Sequence, residues 1–341
     1  MPTVLGSLRR LLMAPSPLDV GFAARGFPVT PSAATRRLEA IPQAVVCGFE
    51  WAVDDPGHQE TEARIRLVDA ELRGFAYEGA TMALTLRDAM GPGPGGRARR
   101  LLIGPARPHV FLAYIGIGFA LARLPRPLWR KAVPDLTGAD YPQMSWLAVD
   151  GYGFDLAYFR TRRYVDEQRL PAPYDWEGHP GYFARAVDQG IGRALWFIHG
   201  ARADRVAAAV ERFDPARRPD LWSGAGLAAT FAGCCPDGDL AALRRAAGAH
   251  TGELGQGAVF AAKARAHAGT VPEHTRTALA ALTGLTLSEA VALADDTAPG
   301  AAPPDTPAPE GSPGAPGDIA DLPAYEQWRR SIRDRLLASV G

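Results

Sequence analysis

A five-residue glycine signature recurs along this chain, and nothing else in the sequence restricts its fold as much. It stands at Glu78-Gly79-Ala80-Thr81-Met82, Ile115-Gly116-Ile117-Gly118-Phe119, Asp150-Gly151-Tyr152-Gly153-Phe154, Gln189-Gly190-Ile191-Gly192-Arg193, Ser223-Gly224-Ala225-Gly226-Leu227 and Leu254-Gly255-Gln256-Gly257-Ala258. The first glycines of successive segments are 37, 35, 39, 34 and 31 residues apart. Each segment runs into small or apolar residues such as Ala120-Leu121-Ala122, and the intervals hold helix-forming stretches such as residues 202–213 and 239–249. Two helices and two turns consume about 30 to 40 residues, the period of stacked helical hairpins. The expected fold is therefore all-α, with helical-hairpin repeats forming a solenoid or a closed α/α toroid; six units would fit a ring. Two considerations oppose this. A chain with 37 glycines contains some Gly-x-Gly pairs by chance, and a glycine inside a helix costs about 1 kcal/mol, which would move some of them to helix starts. Residues 1–69 lack the period, and residues 91–96 read as a loop.

The repeating region ends before a stretch with nothing to bury. Residues 297–317 are Ala, Pro, Gly, Asp, Thr, Ser and Glu, the composition of a flexible linker. The expected division is a helical-repeat core domain at 1–295, a disordered linker at 296–318 and an amphipathic helix at 319–341. In that helix Tyr325, Trp328, Ile332 and Leu336 form one apolar stripe, with Arg329, Arg330, Arg333 and Arg335 opposite. Such a helix either docks on its own domain or grips a partner protein.

Charge and hydropathy exclude several partners. The 37 basic and 37 acidic residues cancel, so the broad positive field that collects nucleic-acid phosphates is absent and no nucleic acid is expected. The longest apolar stretch, residues 110–122, falls short of the roughly 18 to 20 residues that cross a bilayer, and reads as a buried helix rather than a transmembrane segment. After Arg9 and Arg10 the run Leu11-Leu12-Met13-Ala14 stops at Pro15, too short for a signal peptide, so a cytoplasmic location is expected. Cys47, Cys234 and Cys235 make neither a disulfide framework nor a zinc spacing, and reduced thiols are expected. There is no Gly-x-x-x-x-Gly-Lys-Ser/Thr loop, and Leu221 stands where a serine-hydrolase elbow around Ser223 needs glycine.

Several segments, in order, carry a family resemblance. They are Leu5-Gly6-Ser7-Leu8-Arg9-Arg10, Arg73-Gly74-Phe75-Ala76-Tyr77-Glu78-Gly79-Ala80, Asp150-Gly151-Tyr152-Gly153-Phe154 with Ala157-Tyr158-Phe159, residues 185–197 from Arg185 through Asp188-Gln189-Gly190 to Trp196-Phe197, and Ser223-Gly224-Ala225-Gly226-Leu227-Ala228. Through them the chain resembles the UnbL-type proteins of actinobacterial enediyne gene clusters. That resemblance implies an accessory step in enediyne or polyene biosynthesis, on a polyene or other hydrophobic small molecule, beside other proteins of the enediyne cassette. It leaves the cofactor, metal or electron acceptor unknown. The chain departs from the family pattern at Cys234-Cys235 and in its Pro-rich tail.

The residues before the first glycines, Glu78, Ile115, Asp150, Gln189, Ser223 and Leu254, would fall on one wall if the repeats are real. Four of the six are polar, which suggests a lined cavity; Asp150 and Ser223 could instead be helix N-caps. Glu78 and Asp188, with Asp150, are the candidate catalytic carboxylates. Tyr152, Phe154, Tyr158, Gln189, Arg193, Trp196 and Ser223 are candidate substrate contacts. Arg193 beside a carboxylate would keep it ionised, whereas burial without a cation would keep it protonated and able to protonate an alkene among aromatic rings. The alternative, a divalent metal on Glu78, Asp150, Asp188 and His199, lacks any His-x-x-x-His or Glu-x-x-His pair, and His199 reads as a hydrogen-bonded histidine at a helix end. Three functions stay open at this point: an enzyme or enzyme subunit acting on a long unsaturated chain, a noncatalytic scaffold presenting a polyene to membrane-bound oxidising partners, and an acid-initiated cyclase of a polyene or isoprenoid.

Overall fold

In a computed structural model of the chain, residues 18–54, 58–91, 95–235, 238–300 and 322–338 are described, and among them are 15 α-helices and no strand. In chain order these are α1 (Ala33–Asp54), α2 (Gln59–Arg66), α3 (Arg73–Met90), α4 (Arg97–Ile103), α5 (Val110–Leu121), α6 (Trp129–Ala132), α7 (Leu147–Phe159), α8 (Phe183–Ile198), α9 (Ala203–Glu211), α10 (Arg218–Phe231), α11 (Asp239–Ala247), α12 (Thr251–His267), α13 (Glu273–Thr283), α14 (Leu287–Asp296) and α15 (Ala324–Ala338). Seven of them, α1, α3, α5, α7, α8, α10 and α12, pack each against the one before and the one after. Shorter helices connect most neighbours in this row. Between α7 and α8 the chain instead makes a π-helical turn, Arg162–Asp166, and an irregular stretch.

The glycines lie inside the row helices, where each removes a side chain from a point of backbone contact. A Cβ on Gly190 would stand 1.8 Å from the Asp150 carbonyl oxygen of α7, and one on Gly79 would stand 1.8 Å from that of Val45 in α1. The same collision, at 2.0 to 2.4 Å, awaits a Cβ at Gly116, Gly118, Gly151, Gly153, Gly192, Gly224, Gly226 and Gly257. Residues two apart on a helix point about 200° apart, so a Gly-x-Gly pair serves both neighbours at once. Gly151 meets α5 and Gly153 meets α8; Gly190 meets α7 and Gly192 meets α10; Gly224 meets α8 and Gly226 meets α12. The helix-start reading of these glycines is thereby corrected, because the intrinsic cost of a helical glycine is offset by close packing.

Two details of the expected period change. In α12 it is Gly257, 33 residues beyond Gly224, that meets α10, while Gly255 faces Leu336 of α15. In addition α1, from the region without the period, belongs to the same row, since a Cβ on its Gly48 would lie 1.9 Å from the Ala76 carbonyl oxygen. A single glycine leaves no internal spacing to detect. Residues 110–121, expected as a buried helix, are α5, and every one of them is buried. No single helix among the described residues is long and apolar enough to cross a membrane.

Helix α15 docks on the rest of the chain. Trp328 is fully buried against Phe260 of α12, its ring centroid 5.1 Å away, and its indole N–H donates to the Ala294 carbonyl of α14 at 2.8 Å. Tyr325, Ile332 and Leu336 are buried beside it. The expected all-outward arginine face is corrected in one place. Arg329 is 5 % exposed and Glu326 1 %, because positions 326 and 329 flank the stripe and follow it inward. The expected linker falls mostly on residues outside the described set, as do Leu5 through Arg10 and the Arg9-to-Ala14 run.

Candidate functional site

The row helices enclose two adjoining apolar cavities, of about 580 and 440 Å³ including their open mouths. One position per helix builds the wall. The residues three after each first glycine, Met82, Phe119, Phe154, Arg193, Leu227 and Phe260, all line one cavity or both. This holds for α12 only in the corrected register, counting from Gly257. Phe75, one turn before Glu78, lines both and packs edge-on against Phe231 of α10 at 5.5 Å, so α3, second in the row, touches the sixth. Residues 18–29 cover part of the first cavity: Tyr158 Oη donates to the Val20 carbonyl at 2.5 Å, and Phe27 packs edge-on to the Tyr158 ring.

Glu78 and Arg193 also line both cavities. Glu78 is 3 % exposed and has no hydrogen bond or ion pair among the described residues. Burial pushes its carboxyl up to about 8, with Arg193 pulling down and Asp150 pushing up, so at neutral pH it is a carboxylic acid in an aromatic cavity. Arg193 is committed elsewhere. Its Nε donates to Asp150 Oδ1 at 2.6 Å, Nη2 lies 2.5 Å from the same oxygen without the angle for a hydrogen bond, and the guanidinium sits 5.0 Å from the Phe154 ring centroid. Asp150 is 1 % exposed, and burial raises its carboxyl against the pull of Arg193.

The other expected site residues divide. Phe154 and Tyr158 line the first cavity, their rings stacked at 5.6 Å. Gln189 and Ser223 are buried inside helices, hydrogen-bonded to side chains of other elements, and neither Ser223 nor Asp150 caps a helix. Tyr152 lies between its two glycines, on the side away from the cavities, against Trp129 and Phe183. Trp196 is fully buried and donates to the Gly233 carbonyl at 3.0 Å; it lines neither cavity.

Asp188 lies outside both cavities as well. Arg217 grips it, Nη2 to Oδ1 at 2.6 Å and Nε to Oδ2 at 3.0 Å, and Arg217 Nη1 donates to the Gln168 carbonyl. Even so held, burial lifts its carboxyl to about 6. This partner stands 29 residues away in sequence, where inspection of the neighbourhood could not find it. Replacing Asp188 with Asn should cost about 1–3 kcal/mol of stability in urea unfolding, as expected for a charged hydrogen bond left half made, without changing ligand binding in the cavities. A binding defect at full stability would return Asp188 to the site.

His199 does end α8, but neither ring nitrogen has a hydrogen-bond partner among the described residues, and burial pushes it down to about 4. Among the described residues no three His, Cys, Asp or Glu side chains gather as a ligand set. A polar cluster that sequence reasoning missed joins the row to α15. Arg329 donates to Asp220 at 3.0 Å, to Glu326 at 2.6 Å and to Tyr182 Oη at 2.7 Å, and its Nε reaches Gln256, which also accepts from Ser223. Tyr325 Oη and Gln189 complete it at 3.0 Å. The Arg185-Ala186-Val187-Asp188-Gln189 motif contained two of its members, Gln189 and Arg185, yet the carboxylates that Arg185 meets, Asp220 and Glu326, arrive from α10 and α15.

Among the described residues, this fold and site define an all-helical protein with two interior apolar cavities and a buried carboxylic acid that no hydrogen bond or ion pair engages. The chain belongs to the family described as protein of unknown function (DUF1702), which matches residues 4–336. No curated protein and no solved structure matches it.

Proposed function

We propose that this protein is an enzyme of enediyne or polyene natural-product biosynthesis, working in the cytoplasm on a long unsaturated chain held in the two cavities, with Glu78 as its proton donor. The observation that carries the reading is the place of Glu78: 3 % exposed, without a hydrogen bond or ion pair among the described residues, and lining both cavities, where burial pushes its carboxyl up. The natural-product class rests on the motif resemblance alone. Because both cavities share Phe75, Glu78 and Arg193, a chain filling them passes the acid with its interior rather than its end. We also infer that the row curves into a ring or solenoid. Support comes from glycines meeting a neighbour on each side and from Phe75 of α3 touching Phe231 of α10.

The chemistry is general acid catalysis on an alkene. The Glu78 O–H bond breaks and a C–H bond forms at one alkene carbon, using the π electrons and leaving a cation on its neighbour. Phe154, Phe119 and Phe75 line the same space, and aromatic ring faces stabilise a cation. The Glu78 carboxylate then takes a proton from an adjacent carbon, so the double bond shifts, or a ring closes first, without a co-reactant. The test is incubation of the protein with a linear conjugated polyene in D2O. Loss of the long-wavelength absorption band and deuterium on carbon are expected. Binding with neither change would move the protein to the noncatalytic scaffold reading, and absence of binding would remove the cavity reading.

A further inference from the structure

We propose that Asp150 is a positioning residue: by holding the Arg193 guanidinium on α7, it denies Glu78 a cation and so keeps Glu78 a proton donor instead of a carboxylate. This deepens, and rests on, the reading of Glu78 as the acid of the cavity.

The argument begins with Arg193. It is the one cation that shares both cavities with Glu78 among the described residues, and it is 8 % exposed. A buried guanidinium with no carboxylate of its own would pair with whatever acid it could reach, and that pairing would ionise the acid. Asp150 supplies the carboxylate from the adjoining helix at 2.6 Å. The geometry incorporates the choice into the repeat, because Asp150 precedes Gly151 as Glu78 precedes Gly79, while Arg193 follows Gly190 by three. Glu78 and Arg193 line both cavities, and Asp150 stands behind Arg193, outside the lining of either.

No other charge faces Glu78 so directly. The lining from α1 and α10 is uncharged. Just past the end of α5 the boundary of the first cavity carries Arg123, paired with Asp155 of α7 and also bonded to the Phe119 carbonyl. On α12 Arg265 donates to the Glu71 and Phe231 carbonyls and lies 3.9 Å over the Phe231 ring. Both are occupied. The upward push of Asp150 on the Glu78 carboxyl acts in the same direction as the sequestering of Arg193.

The experiment reads Glu78 directly, by carbon-13 NMR of side-chain-labelled glutamate, with Glu78→Gln to assign its resonance. In the wild type the titration midpoint should be near 8. In Asp150→Asn the released Arg193 should lower it by about one to three pH units. In the double variant Asp150→Asn with Arg193→Gln, no cation is left to pair, and the midpoint should return to the wild-type region. An unchanged midpoint in Asp150→Asn overturns the proposal, as does a low one in the double variant. Should Asp150→Asn alone fail to fold, the uncharged double variant still gives the second outcome. A midpoint that moves as expected, in a protein inert toward every polyene, would leave this inference standing and remove the catalytic reading instead.

Discussion

Gly190→Val should leave no cooperatively folded protein, or one destabilised by at least about 4 kcal/mol, a loss that only a named structural failure produces. The valine Cβ would stand 1.8 Å from the Asp150 carbonyl oxygen and 2.6 Å from the Phe154 amide nitrogen. Neither is the end of a side chain that can swing aside. To make room, α7 and α8 must separate along their whole contact, and Asp150 and Phe154 lie on that contact. Gly181→Val is the matched control, since Gly181 has nothing within 4 Å of its would-be Cβ, and its effect should stay within about 0.5 kcal/mol. Urea unfolding followed by far-ultraviolet circular dichroism compares the two. Equal stabilities would mean that the glycine seams do not hold the row together.

Glu78→Gln should lower turnover of a polyene by about 10²–10⁴-fold, the range for a lost general acid, while binding stays close to that of the wild type. Its effect on stability has a pH signature. The folded-state carboxyl sits near 8 and its ordinary value is 4.5, so between those pH values the folded protein keeps a proton that the unfolded chain has lost. Stability must therefore fall as pH rises through that window, by up to about 1.4 kcal/mol per pH unit, and level off above it. Glutamine has no proton to lose, so the variant should lack this slope and be the more stable protein at pH 8. Parallel melting curves for the two proteins from pH 5 to 8 would show that Glu78 is not held neutral.

The sequence made the helical row legible because its signal is local and periodic. Each Gly-x-Gly pair marks a helix flanked on two sides, and the residue three after the first glycine marks the cavity. Phe154 and Arg193 hold that position, whereas the wall expected from the residues before the first glycines reaches a cavity only at Glu78 and Ile115, and Asp150, Gln189, Ser223 and Leu254 line neither. What stayed hidden depends on pairs far apart in sequence. Asp188 looked unpartnered until Arg217 came to it across 29 residues, and Arg329 seemed a solvated arginine until Asp220, 109 residues away, met it inside the protein. Tyr152 misled for a geometric reason: in the middle of its segment it points away from the wall, about 100° from each glycine. The two-residue ambiguity of Gly255 against Gly257 could not be settled without knowing that α15 occupies the space beside Gly255.

The glycine seams also determine how this interior can respond to a guest. Where helix meets helix through bare backbone, there are no rotamers at the contact to re-sort, and so no reservoir of small adjustments by which the wall could swell. Little side-chain freedom is left there to lose when a ligand is taken up. Selection in such a vessel would work by gauge, since a molecule thicker than the space between the seams would find no wall that gives way, and only the cover formed by residues 18–29 over the first cavity stands outside the seams.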